Sequence, residues 1–140
     1  MQLSIDTNVK LVEIVRNGKH VGDVAVPLSD PALLNRLRKV AHKAEEIQAN
    51  SKLGELEDVD ASLEEAERID TEMRKLLDWA FASPVSAVVF GDGFCFSSSG
   101  GVTAMEQFLA GVIPMVEAEY RQEITAAEQR RGKYLDKYKK

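Results

Sequence analysis

The 140-residue chain has one cysteine, two histidines and no long apolar run, and each shortage removes a class of function. A single cysteine leaves no intrachain disulfide and no cysteine-rich metal site, which fits a reducing compartment. The longest apolar stretch, "FLAGVIPMV", is broken by Pro114 and falls far short of the roughly 20 residues a membrane helix needs. The opening "MQLSIDTNVK" lacks the basic-then-apolar order of a signal peptide, so the expectation is a protein of the cytoplasm. His20 and His42 stand at no ligand spacing, and no metal site is expected.

What is present is an ordinary apolar fraction of 44% in a length that suits one domain, 1–140. The net charge of −5 is unevenly spread. Residues 43–78 hold twelve acidic and five basic side chains, whereas residues 121–140 hold seven basic and three acidic. An acidic middle argues against nucleic-acid binding by the whole chain.

Residues 1–28 read as a β-hairpin region. "KLVEIV" and "HVGDVAV" alternate apolar with polar, and Asn17-Gly18 suits a tight primed turn. The alternation puts Leu11 and Val12 on opposite faces, and Leu3 and Ile5 suggest a short preceding strand. Two strands alone are marginal, so the hairpin must pack on a helix or pair with another chain. Residues 30–82 read as two helices with an acidic connector. Asp30 caps the first with Pro31 at its first position, and Leu34, Leu37, Ala41 and Ala44 share a stripe. After a connector over Asn50 to Gly54 and "ELEDVDAS", the second starts near Asp60 or Ser62, where Ser62 and Glu65 have capping-box spacing. Its stripe is Ala66, Ile69, Met73, Leu76 and Ala80.

Ser83-Pro84 restarts a short helix in a Phe/Gly/Ser-rich segment over 83–101. Residues 102–140 form a long helix with a basic tail and a stripe of Met105, Leu109, Val112, Val116, Tyr120, Ile124 and Ala127. Pro114 should kink it near Ala110-Gly111. The resulting fold class is α+β: an N-terminal hairpin on a bundle of about three helices, with a long kinked C-terminal helix.

No motif supplies chemistry. "GDGFCFSSSGG" has no lysine where a phosphate-binding loop needs one, and its glycine order does not match a dinucleotide fingerprint. Cys95 as a nucleophile would need a base and an orienting group. It is read instead as a small apolar side chain between Phe94 and Phe96. A small enzyme using Cys95 is the competing class. Trp79, beside Leu76, Leu77 and Ala80, is read as core or interface. Amphipathic helices without a catalytic constellation favour a binding or assembly role.

The order of "WAFASPVSAVVFG", a Gly/Ser-rich connector, "GVTAMEQFLAGVIPMV" and a basic "EQRRGKYLDKYKK" resembles the tail assembly chaperones of long-tailed phages and Gram-positive prophages. The likeness covers most of the chain in layout, and its sharp residues lie over about 79–140. The chain departs in a longer acidic middle, Gly54 to Arg74, and in a serine-rich loop. The resemblance implies a non-enzymatic, cofactor-free protein of the host cytoplasm, absent from the mature virion. Such a protein keeps the tape measure protein soluble until tail tube protein polymerises around it. On that view Gly91, Gly93, Gly100 and Gly101 make a hinge for the last helix. Phe90, Phe94 and Phe96 anchor it, and Met105, Phe108, Leu109, Val112, Val116 and Tyr120 form a partner or homo-oligomer interface. The alternative is an adaptor that binds nucleic acid or protein through its tail, with Lys133, Lys137, Lys139 and Lys140 as the carriers.

Overall fold

The structure, a computed structural model, describes residues 1–50 and 58–137. The middle of the acidic connector and the tail residues Lys139 and Lys140 lie outside the described residues. Strand β1 (Val9–Arg16) pairs antiparallel with β2 (Lys19–Pro27). Asn17 and Gly18 turn between them at φ 52° and 81°, the two positive values that a primed turn requires. Val12 and Ile14 face inward with the buried Val24 and Val26, while Leu11 on the opposite face is 71% exposed. The register slips between Ile14 and Val15, leaving Val21 as a bulge between Gly22 and His20. Leu3 and Ile5 are exposed and in no strand, which corrects the expected preceding strand.

Helix α1 (Pro31–Asn50) opens as expected, with Asp30 Oδ1 accepting the Ala32 N–H at 2.9 Å. Its buried residues are Leu33, Leu34, Leu37, Val40 and Ala44, a wider face than the expected stripe because α1 packs on two helices. Helix α2 (Val59–Phe81) begins before the expected start: Asp58, not Asp60 or Ser62, is the cap and accepts the Asp60 N–H. An acceptor one residue before the apolar Val59 adds a further turn, and the Ser62–Glu65 pair falls inside the helix. Leu77 rather than Leu76 is fully buried, since α1 covers the Ile69–Met73–Leu77–Ala80 column.

Helix α3 (Val85–Phe90) follows at once, and its start is tied to α2 by Asp78. That carboxylate accepts the Ser86 N–H at 2.8 Å and the Ser86 hydroxyl at 3.0 Å. Two-residue strands β3 (Ser98–Ser99) and β4 (Val102–Thr103) then pair before α4 (Ala104–Lys137). Thr103 Oγ1 accepts the Glu106 N–H and starts α4. The helix runs through Pro114, which has no N–H for the exposed Ala110 carbonyl. Met105, Leu109, Val112 and Val116 enter one core with residues of β2, α1, α2 and α3. Every residue over 121–137 is exposed, so by its rise the second half of α4 extends about 25 Å past the core. Among the described residues, no helix is long and apolar enough to cross a membrane.

Candidate functional site

The segment expected to swing is fastened from several sides. Asp70 of α2 accepts the Cys95 N–H at 2.9 Å and the Arg74 Nε–H at 2.9 Å. Arg74 also donates to the Gly93 carbonyl and lies 5.6 Å from the centroid of the Phe90 ring. Backbone bonds from Ala104 to Ser97 and from Met105 to Cys95, each 2.8 Å, join the loop to the start of α4. Arg16, at the hairpin tip, donates to the Val88 and Val89 carbonyls. Gly91 has φ 58°, and a Cβ there would meet the Arg16 guanidinium at 2.6 Å. Gly91 therefore serves close packing. Gly100 and Gly101, both at positive φ, make only the β3–β4 turn, and Gly93 is held through its carbonyl. Side chains of α2 and β1 thus hold a segment that glycine content alone would leave loose.

The expected interface residues divide. Met105, Leu109, Val112 and Val116 are buried in the chain's own core, and of the four only Val112 borders the cleft described below. Phe90 is likewise buried. Phe94, Phe96, Phe108 and Tyr120 are partly buried against that core, with Phe94 and Phe96 edge-on at 5.8 Å. A sequence stripe marks both surfaces alike, because helical spacing does not say which neighbour covers it.

Four of these residues, Phe90, Phe94, Phe108 and Val112, border one cleft. A cleft of about 950 Å³ opens between the hairpin, the 92–99 loop and the first half of α4. Val12, Ile14, Val24 and Val26 line one side, and Phe94, Phe108 and Met115 line another. Just before β1, Asn8 donates to Glu119 of α4 at 3.2 Å and ties the hairpin to that helix. The cleft has the size of a small-ligand site, but its lining offers mainly apolar contact. Met115, 39% exposed, is the accessible apolar side chain on its α4 wall. Sequence reasoning missed Met115 because it falls one position off the core column.

Cys95 is fully buried, as the packing reading required. Burial first, then the Asp70 carboxylate beside it, pushes its thiol up to about 12. The nucleophilic thiolate is thereby suppressed at neutral pH. Strand pairing corrects the picture of His20 as isolated: Glu13, His20 and Asp23 bring one ligand atom each within 4.8 Å of one another. The 2.9 Å hydrogen bond to Asp23 raises the His20 pKa, and all three side chains are exposed. Compared with protein-family models, curated proteins and solved structures, the chain matches none.

Proposed function

We propose that this chain is a non-enzymatic holding protein that takes an apolar helical segment of a larger client into the cleft between the hairpin and α4. The observation that carries the reading is the cleft whose apolar lining comes from β1, β2, the phenylalanine loop and α4, with Met115 its exposed member. An amphipathic helix laid in a groove is a recurrent mode of recognition, and it needs no cofactor. Together with the resemblance in layout, this gives a tail assembly chaperone of the host cytoplasm. It would shield the tape measure protein until tail tube protein surrounds it, and be absent from the mature virion.

Co-expression with a tape measure protein of a long-tailed phage tests the proposal. The wild type should hold that client in the soluble fraction and co-purify with it. Met115→Asp, which places a charge on the accessible wall without touching the core, should abolish both while the variant keeps its helical circular dichroism. A client that stays insoluble with the wild type, or one rescued equally well by Met115→Asp, overturns it.

A further inference from the structure

The hairpin carries a second arrangement, on the face that also bears the exposed Leu11. Glu13 of β1 stands directly opposite Asp23 of β2, and both side chains are exposed. Like charges set across from each other in a sheet destabilise the pairing. Among the described residues, no lysine or arginine forms an ion pair with either carboxylate. Lys10 reaches Glu119 of α4 instead, and Arg16 donates to the Val88 and Val89 carbonyls. What the chain places beside the two carboxylates is an imidazole.

His20 reaches this pair because of the bulge. Residues three apart in an unbroken strand point to opposite faces of the sheet. The extra residue, Val21, brings His20 round to the face of Asp23. His20 Nε2 then stands 2.9 Å from Asp23 Oδ1, and one ligand atom from each of the three side chains lies within 4.8 Å of the other two. Zinc bonds to imidazole nitrogen and carboxylate oxygen are about 2.0–2.2 Å long, so ligands around a tetrahedral ion sit about 3.4 Å apart. All three side chains are exposed, and small rotations take them to that spacing.

The donor set selects the metal. Two carboxylates match the charge of a divalent ion, and with one imidazole they leave a fourth, solvent-facing position to water. Calcium and magnesium fill about six or more positions with oxygen, whereas imidazole suits zinc and its transition-metal neighbours. The geometry points to a surface site for a divalent cation of the zinc class, held by Glu13, His20 and Asp23. Bound there, the ion replaces the His20–Asp23 hydrogen bond and cancels the repulsion between the carboxylates. It also clasps β1 to β2 where the bulge interrupts their ladder. Glu13 borders the cleft as well, but zinc uptake needs no client, so either reading can fail without the other.

Calorimetric titration of the metal-stripped full chain with zinc chloride, at mildly alkaline pH, should show a single site. His20→Ala and Glu13→Gln should each weaken binding by about tenfold or more. His42→Ala, which removes the other histidine, should leave it intact. The three positions are exposed, and circular dichroism should report folded variants. Zinc should also raise the thermal midpoint of the wild type by mass action on the folded state, and not that of His20→Ala. Wild type that shows no saturable zinc binding up to millimolar metal overturns the inference. So does binding that His20→Ala leaves unchanged or that His42→Ala abolishes. Calcium bound as tightly as zinc would reduce the cluster to a general acidic patch and overturn it too.

Discussion

Cys95 and Gly91 show how single residues take their character from neighbours distant in sequence. In the folded chain the Cys95 thiol is held near 12, against an ordinary value of 9.0. The native state therefore keeps its proton over a pH range in which the unfolded thiol loses it, and stability must fall as pH climbs from about 9 towards 12. Below that range the contribution is complete. Alkaline thermal melts of the wild type should thus decline more steeply than those of Cys95→Ala. A thiol reagent at neutral pH should label Cys95 only after denaturant is added. Rapid labelling of the folded chain would refute this picture. Gly91 combines φ 58° with the Arg16 guanidinium where a side chain would go. Gly91→Ala should cost about 1–3 kcal/mol, read from urea midpoints, because the backbone region is one that other residues enter only under strain. Gly111, with nothing near its missing Cβ, is the control and should tolerate alanine.

Between elements, the fold depends on two carboxylates of α2, neither of which a local pattern identifies. Asp70 and Asp78 read in the sequence as parts of a charged helix face. In the structure each reaches out of α2 to a backbone N–H, Asp70 to Cys95 and Asp78 to Ser86. Removing one strands a largely buried donor, so Asp70→Ala should lower stability by about 1–3 kcal/mol. It should also speed hydrogen exchange at Cys95 ahead of the rest of the chain; unchanged exchange there would contradict the role. By contrast, the Asn17-Gly18 turn, the Asp30–Pro31 helix start and the hairpin alternation were legible, because each is decided by residues a few positions apart. The start of α2 at Asp58 was not, since three acidic or hydroxyl caps compete within five residues. The Glu13–His20–Asp23 cluster was also hidden, because its spacing is set by strand register.

For the molecule as a whole, the question left by the sequence was which part of the long C-terminal stripe belongs to the core. The structure divides it near Tyr120: Val112 and Val116 are buried, and 121–137 is exposed. Val112→Asp should therefore unfold the chain, costing several kcal/mol for an unpaired charge in a packed interior, with loss of the circular dichroism signal well below the wild-type midpoint. A folded Val112→Asp protein would show that α4 does not close the core. Periodicity alone could not place this boundary, for the same apolar spacing runs from Met105 through Ala127. Arg38 of α1 reaches α4 at Glu117, Asn8 and Lys10 reach it at Glu119, and every described residue beyond Tyr120 is exposed.

The bulge at Val21 bears on how copies of this chain avoid fibrous aggregation. A two-stranded sheet leaves each strand one lateral row of backbone groups without a strand partner, and such rows are templates for runaway stacking. Here the two rows differ. That of β2 is broken by the extra residue, whereas that of β1 is regular. If two molecules met through β1, each would consume its only regular row, and the outward faces of the pair would both be broken ones. Strand addition then terminates at two and has no third site from which to grow. Prolonged incubation of concentrated protein should accordingly stay dark to thioflavin, and ordered cross-β fibres would show that the bulge gives no such protection.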